Sequence, residues 1–231
     1  MRRTQALVQR PQVPLHGQGQ ARRASNPSSE VPATDDEIRE KYLERAIREL
    51  NNVARELQAC EHCPRGQLMP VLGSGHPQAD IFMVKYSARP AEVEEGVAFY
   101  GRAGTALMKS LKRLDIDPLA VYGTLCVKCP VLDPVMADPE CVGRVADELV
   151  IVSPKIVVVM GTDALGVIND IDLPVRRELE PNPGVVQRFT PSADALYVPS
   201  IDDSLDEESA KRAFWKAFRV LGDWWAELPP Y

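Results

Sequence analysis

The stretch Pro154-Lys155-Ile156-Val157-Val158-Val159-Met160-Gly161 decides the fold of this chain. Its apolar run does not alternate with polar residues, which is typical of a strand in the middle of a parallel sheet, where helices cover both faces. Gly161 ends the run, and residues 162–168 follow with helical spacing. A buried strand that passes directly into a helix indicates an α/β protein.

The alternation of strands and helices continues on both sides of this stretch. Residues 81–84, 121–128 and 195–198 are short apolar runs that predict three more strands. Asp138 and Pro139 are typical of a helix start, so residues 139–152 are predicted to be helical. Together these elements predict a three-layer α/β/α sandwich with a four-stranded parallel sheet, and ligands of such sheets bind at the carboxyl ends of the strands.

Three further helices complete the predicted layers. Thr34 and Glu37 have the spacing of a capping box, and apolar residues at helical spacing follow them to residue 57. Residues 104–114 predict a second helix. Ser204 and Glu207 have the spacing of another capping box, which predicts a last helix. The apolar side of that helix carries Ala210, Phe214, Phe218 and Leu221.

Four of the five cysteines are spaced as in a metal site. They are Cys60, Cys63, Cys129 and Cys141. The two-residue gap between the first two lets one turn of backbone direct both thiolates at one centre, while the other two have to join them from elsewhere in the fold. Cys126 lies inside a predicted strand, where a small buried side chain is the commoner role, and it is left out of the site.

Spacing alone leaves the identity of this site open. An iron-sulfur cluster and a structural zinc ion both use a C-x-x-C pair with distant partners, and unligated thiols are a third alternative. Disulfides are disfavoured, because Arg2 and Arg3 are not followed by the apolar run of about 7 to 15 residues that a secretory signal requires. We therefore expect a reducing, cytoplasmic setting. We expect no membrane span either, because no apolar run approaches the required length of about 18 residues.

Charge is distributed unevenly along the chain. Residues 1–34 hold five arginines and one glutamate, a net charge of +4, whereas the remainder holds 22 basic and 32 acidic residues, a net charge of −10. The first segment is rich in Gln, Pro, Ser and Arg and lacks apolar periodicity, which predicts a disordered basic tail over residues 1–34 before a single domain over residues 35–231. An acidic body repels nucleic acid at long range unless its charges are segregated.

The order of the motifs resembles that of the iron-sulfur uracil-DNA glycosylases. The resemblance covers about residues 57–225 and rests on the C-x-x-C pair, Gly73-Ser74-Gly75, Ala79-Asp80-Ile81-Phe82-Met83-Val84, Gly96-Val97-Ala98-Phe99-Tyr100-Gly101-Arg102-Ala103-Gly104, Val121-Tyr122, Lys128-Cys129-Pro130, Cys141 and the stretch 154–161. In that family the four matching cysteines ligate a [4Fe-4S] cluster. The resemblance therefore implies a uracil-DNA glycosylase-like fold and such a cluster on Cys60, Cys63, Cys129 and Cys141, with zinc as the alternative.

The resemblance also implies a base pocket, in which this chain departs from the family. Phe99 matches the aromatic residue that stacks on the flipped base, although a core phenylalanine is an equal alternative. The family's Gly-Glu-Ala-Pro-Gly turn is replaced by Lys85-Tyr86-Ser87-Ala88-Arg89, so its carboxylate is absent. Leu125 stands where the family has its base-reading asparagine, and Val198 where it has the histidine of His-Pro-Ser, of which Ser200 is kept. Losing one such donor to the oxyanion typically costs about 100- to 1000-fold in rate.

The predicted pocket thus contains Phe99, Tyr86, Leu125 and Ser200, and the degenerate catalytic positions are Lys85, Tyr86, Leu125 and Val198. A desolvated Lys85 would be a Schiff-base nucleophile, but a solvated lysine is the commoner case. The loop Ile201-Asp202-Asp203-Ser204-Leu205-Asp206-Glu207-Glu208 carries five carboxylates where DNA phosphates would approach, which disfavours DNA as a partner.

Two hypotheses follow from this combination of features. The first is a non-catalytic, cluster-bearing module that binds a protein partner or serves assembly, with its acidic face turned to a basic partner. The second is a DNA glycosylase of base-excision repair whose pocket is rebuilt for uracil or another damaged base. The simultaneous change of three catalytic positions and the acidic loop favour the first, because function is decided by the site and not by the fold.

Overall fold

A six-stranded sheet forms the centre of the fold in the computed structural model, which describes residues 34–228 apart from the side chain of Met136. The strands are β1 (Ser74–Gly75), β2 (Ile81–Ser87), β3 (Val121–Val127), β4 (Ile156–Met160), β5 (Val186–Arg188) and β6 (Asp194–Val198). Their order across the sheet is β1-β3-β2-β4-β6-β5.

The four inner strands are parallel and the two outer strands are antiparallel to their neighbours. The prediction of four strands is therefore corrected to six. Strands β1 and β5 contain only two and three residues, which is too short for an apolar period to be visible in the sequence. The four predicted strands are the four parallel ones.

Seven α-helices accompany the sheet within residues 34–228. They are α1 (Asp35–Ala59), α2 (Pro90–Glu95), α3 (Gly101–Arg113), α4 (Pro139–Val152), α5 (Thr162–Asp170), α6 (Glu208–Phe218) and α7 (Val220–Ala226). Helix α4 has the predicted bounds, with Asp138 as its N-cap. Helix α2 was not predicted, because six residues are too few to show helical spacing.

The second predicted capping box is wrong. Ser204 lies in a 3-10 turn, Asp203–Leu205, and its hydroxyl donates to the carbonyl of Ile201 at 2.5 Å. Helix α6 begins only at Glu208, and no side chain caps its amino terminus. The chain bends between α6 and α7, but Phe214, Phe218 and Leu221 are buried as the predicted apolar side requires.

Helices cover both faces of the sheet, as the apolar run of β4 predicts. Successive side chains of a strand point to opposite faces, and all five residues of β4 are buried. One face packs against α3, α6 and α7, and the other against α4 and α5. Helix α1 lies against α4. This arrangement is a three-layer α/β/α sandwich, in which the carboxyl ends of the parallel strands β2, β3, β4 and β6 lie along one edge of the sheet.

The predicted basic tail, residues 1–34, lies outside the described residues except for Thr34. The chain from Asp35 onward forms one compact unit. None of the helices within residues 34–228 is both long and apolar enough to cross a membrane.

Candidate functional site

Three buried cysteines from different parts of the fold meet at one point. Cys63 lies in the loop after α1, Cys129 follows β3, and Cys141 lies in the first turn of α4. Their Sγ atoms are all within 4.8 Å of one another. The backbone N–H of Asp138 donates to the sulfur of Cys63 at 3.3 Å. Converging, shielded sulfurs that accept a hydrogen bond from the backbone fit a bound metal ion or cluster.

The thiols of Cys129 and Cys141 interact directly. A hydrogen bond from Cys129 lowers the pKa of Cys141 to about 5, and the backbone N–H groups of Lys128 and Cys129 also stabilise its thiolate. The pKa of Cys129 is raised, first by its hydrogen bond to Cys141 and then by burial. The direction of the pKa shift at Cys141 favours its thiolate, and a thiolate is the form that binds a metal.

Cys60 stands apart from this group of three. It directly follows α1 and is half-buried, and its carbonyl accepts a hydrogen bond from Arg65 Nη2 at 2.8 Å. Its role as the fourth ligand stays a prediction. Cys126 is fully buried in β3 and packs in the core against α4 and α5, where burial raises the pKa of its thiol to about 12.

A buried ionic network holds two of the ligand-bearing segments together. Lys128 Nζ contacts Glu148 Oε2 at 2.7 Å and donates to Thr124 Oγ1 at 2.5 Å. The hydroxyl of Tyr122 donates to the other oxygen of Glu148 at 3.2 Å. Because Lys128 directly precedes Cys129 and Glu148 lies on α4, this network joins the end of β3 to α4. Sequence reasoning missed it, since a lysine at a strand end looks solvated.

A second buried ionic group lies at the carboxyl end of β2. Lys85 is 2 % exposed, and its ammonium contacts Glu92 Oε2 at 2.6 Å and Asp202 Oδ2 at 2.9 Å. Glu92 lies on α2 and is fully buried. The expectation of a solvated Lys85 is therefore wrong. Helix α2 and the loop after β6 close over the strand end and supply two carboxylates that the local sequence does not reveal.

The same group holds Phe99 in place. Glu92 Oε1 accepts the backbone N–H of Phe99 at 2.6 Å, which stabilises a residue with a φ of 57°. The ring packs so closely on β3 that a Cβ on Gly123 would lie 2.7 Å from it. Lys85 Nζ lies over the ring, 5.8 Å from its centroid. The aromatic face on which a base would stack is thus next to a buried ammonium.

A cavity of about 400 Å³ opens at the carboxyl ends of β2, β4 and β6. Of the predicted pocket residues, Tyr86 and Ser200 line it, whereas Phe99 and Leu125 do not. Of the other two degenerate catalytic positions, Lys85 lines it and Val198 does not. Leu125 and Val198 are fully buried in the core beside Phe99. The structure therefore divides the predicted pocket into a polar cavity and an apolar core cluster.

Two tyrosines and a carboxylate, which the sequence did not predict to lie together, line this cavity. They are Tyr86, Tyr197 and Asp163. Burial, and then the charge of Asp163, raise the pKa of both tyrosine hydroxyls. The neutral hydroxyls are hydrogen-bond donors at neutral pH. Asp163 directly follows Thr162 at the start of α5. An acidic residue is common at a helix start, so nothing in the sequence indicated that this carboxylate lines a cavity.

Most carboxylates of the acidic loop have a cation beside them. Asp202 lies 3.3 Å from Arg89 Nε in addition to its contact with Lys85. Asp206 accepts from Arg102 at 2.7 Å, and Glu208 lies 3.7 Å from Lys211. The charge that the sequence places on this loop is therefore largely compensated within the fold.

Comparison with known proteins places the chain in a family. No curated protein matches it significantly. The model of the uracil DNA glycosylase superfamily matches residues 72–219, well over half of the chain. The matched region contains all six strands, Cys129, Cys141 and the buried Lys85 group, and it begins after Cys63. The resemblance is confirmed at this level: the chain belongs to the uracil DNA glycosylase superfamily.

Proposed function

We propose that this chain is a non-catalytic member of the superfamily, a [4Fe-4S] protein that acts by binding a protein partner or in assembly. The observation that carries the proposal is the buried contact of Lys85 with Glu92 and Asp202. The three side chains lie between the end of β2, α2 and the loop after β6, beside the cavity that Lys85 and Asp202 help to line. In the family that this chain resembles, the turn at this position brings a carboxylate to the water and the sugar.

The contacts of Lys85 argue against both hydrolysis and Schiff-base chemistry. A glycosylase needs a group that activates water and a donor for the leaving base. Glu92 is engaged by Lys85 and by the backbone N–H groups of Arg89 and Phe99, so it is not positioned as a free base. A Schiff base requires a neutral, accessible amine, whereas Lys85 Nζ is buried against two carboxylates.

The apolar side of the predicted pocket supports the same conclusion. Leu125 and Val198 have no hydrogen-bonding groups in their side chains, and both pack in the core with Phe99. A flipped uracil in that place would leave its polar edge without partners, at a cost of about 1–3 kcal/mol for each unsatisfied group. The core around Phe99 therefore lacks the polar partners that a flipped uracil needs.

The proposed cluster would be held by Cys63, Cys129 and Cys141, with Cys60 as the fourth ligand. The convergence of three shielded thiols supports a metal centre, and the family resemblance favours iron-sulfur over zinc. Such a group would cross-link the end of α1, the end of β3 and the start of α4. None of the five cysteines is in a disulfide, which suits a reducing compartment such as the cytoplasm.

The test combines metal analysis and a lesion assay on one sample. Protein purified without oxygen is expected to contain iron and acid-labile sulfide and to show visible charge-transfer absorbance. The same sample is expected to leave DNA with uracil, or with each of a panel of other damaged bases, uncut after alkali, while an active uracil-DNA glycosylase cuts the uracil substrate in parallel. Excision of any lesion would contradict the non-catalytic proposal. Zinc without iron would contradict the assigned cluster.

A second candidate function, a glycosylase with a rebuilt pocket, is supported by the polar cavity at the strand ends. Three carboxylates line it, those of Asp163, Asp202 and Asp203. Because Asp202 and Asp203 lie beside Arg89, Asp163 is the one that would activate water, and Tyr86 and Tyr197 would donate to the base. If this function is correct, one lesion of the panel is excised and Asp163→Asn abolishes its excision. Excision that is unchanged in Asp163→Asn would contradict this assignment.

A further inference from the structure

A groove between α3 and α6 combines an apolar floor with basic walls. It encloses about 1130 Å³ and lies apart from the three thiols and from the cavity that Asp163 lines. Ala106, Phe214 and Trp215 contribute apolar surface to it. Its walls carry seven cationic side chains, Arg102, Lys109, Arg113, Lys211, Arg212, Lys216 and Arg219, and one carboxylate, Glu208.

Part of this positive charge is engaged within the fold. Arg102 pairs with Asp206, and Lys211 lies near Glu208. The guanidinium of Arg113 lies over the ring of Trp215, 4.2 Å from its centroid. The other four cations, Lys109, Arg212, Lys216 and Arg219, are exposed, and no carboxylate within residues 34–228 pairs with them.

The cations at this groove contrast with the net charge of the body. Residues 35–231 carry ten more acidic than basic residues, yet four uncompensated cations border one groove. Unpaired charges of one sign, kept together, attract a partner of the opposite sign and orient its approach. The groove is therefore a surface with unsatisfied positive charge, in contrast to the largely compensated loop 202–208.

The shape of the groove suits a helical ligand. Helix α3 carries groove-lining cations from Arg102 to Arg113, a length of about 16 Å or three helical turns. A helix with an apolar stripe and acidic flanks would place the stripe on the floor and its carboxylates beside the walls. Phe214 stacks on Phe218, with ring centroids 5.1 Å apart.

We propose that this groove binds an acidic amphipathic helix of a partner protein. The proposal rests on the proposed function, since it names the chemistry of the partner that the binding module would take. The chain's own residues 1–34 are excluded as the occupant by their net charge of +4. A nucleic-acid strand is disfavoured, because successive bases stack on several open aromatic faces. Of the three aromatic side chains that line the groove, Phe214 is buried, Trp215 lies under the guanidinium of Arg113, and Tyr100 is exposed.

A displayed library of random 16-residue peptides tests this proposal. It is selected on the full-length protein and, in parallel, on the variant Lys109→Glu/Arg212→Glu/Lys216→Glu. The expected result is enrichment, on the unmodified protein only, of acidic peptides with apolar residues at i, i+3, i+4 and i+7. A matched control variant, Arg39→Glu/Lys41→Glu/Arg48→Glu, makes the same charge change on exposed positions of α1.

The most enriched peptide is then synthesised with a fluorescent label, and its affinity is measured by anisotropy. The groove variant is expected to bind about tenfold more weakly or worse, and the α1 variant within about twofold of the unmodified protein. Circular dichroism of both variants checks that they are folded. Equal losses in both variants, or no enrichment of acidic amphipathic peptides, would overturn the proposal.

The oligonucleotide dT20 provides the competing outcome. If dT20 binds the groove more tightly than the best peptide and loses affinity in the groove variant, the ligand is a nucleic acid and the peptide proposal fails. The lesion assay and the metal analysis are independent of these measurements. A failed selection together with a negative lesion assay would therefore reject the groove inference alone.

Discussion

Replacing Lys85 with methionine leaves the carboxylates of Glu92 and Asp202 without the ammonium that lies between them. Removing one partner of a buried ion pair typically costs about 3–5 kcal/mol, because the remaining charge is buried and uncompensated. Glu92 would keep the two backbone N–H donors that it already has, and Asp202 would keep Arg89 at 3.3 Å. We therefore expect the lower end of this range, about 3 kcal/mol of unfolding free energy.

This loss is large compared with the total stability of about 5–15 kcal/mol of an ordinary domain. Urea unfolding at equilibrium measures it, with the fluorescence of Trp215, Trp224 and Trp225 as the signal. With a urea dependence of about 2–3 kcal/mol per molar, the midpoint is expected to fall by about 1–1.5 M. Both proteins have to carry the same metal content, because a bound metal adds its own stabilisation.

The matched control is Lys109→Met on the exposed side of α3. It removes the same charge with the same replacement residue and is expected to change stability by no more than about 0.5 kcal/mol. A Lys85→Met loss below about 1 kcal/mol, or equal to that of the control, would refute the assignment of a buried, paired ammonium at this strand end. A double-mutant cycle with Glu92→Gln is expected to show coupling of at least about 1.5 kcal/mol.

Three further predictions concern the thiols, β3 and the Glu148 network. Cys141→Ser is expected to abolish metal binding, whereas Cys126→Ser is expected to keep the metal, because the Cys126 thiol packs in a different part of the core. Iron and zinc analysis of both variants tests this, and metal retained in Cys141→Ser would exclude Cys141 as a ligand. Gly123→Ala is expected to lower stability by about 1–3 kcal/mol, because its Cβ would be pushed into the ring of Phe99. Gly143→Ala on α4, whose Cβ would meet no atom within 4 Å, is expected to raise stability by up to about 1 kcal/mol. Equal effects of the two substitutions in urea unfolding would contradict the packing of Phe99 on β3. Burial, and then the charge of Glu148, raise the pKa of Tyr122 above its usual value, so the stability contributed by the neutral hydroxyl is complete below the unfolded-state pKa of about 10 and falls as the pH rises beyond it. As the pH rises above about 10, Tyr122→Phe is accordingly expected to lose less stability than the unmodified protein, and the slopes of unfolding free energy against pH are expected to differ by up to about 1.4 kcal/mol per pH unit. Identical slopes would show that the hydroxyl ionises equally in the folded and unfolded states.

Much of the fold follows from local sequence patterns. The unbroken apolar run of β4 predicts both its central place and its two covered faces, because such a strand is stable only where no side chain meets water. Asp138 and Pro139 likewise predict the start of α4 through local capping. Strands β1 and β5 escape prediction, since two and three residues show no period and depend on the neighbouring strand for their hydrogen bonds.

The candidate site was predictable only in part. The cysteine pattern indicates a shared centre, and the structure brings three of the four thiols together, while the place of Cys60 as a ligand stays a prediction. The ionic group around Lys85 was not predictable, because Asp202 is 117 residues away in the chain and Glu92 belongs to a helix too short to be recognised. A lysine considered without its neighbours is predicted to be solvated, and only the carboxylates that contact Lys85 in the fold show that it is buried.

The sequence by itself determined the layers of this protein, its four parallel strands and its superfamily, because apolar runs, caps and motif order are local properties of the chain. Only the tertiary structure decided which charges are satisfied. Folding brings Lys85 between two carboxylates, compensates most of loop 202–208, and leaves four cations facing the groove between α3 and α6. Electrostatic energy depends on distances in space, and the linear order of residues does not contain those distances.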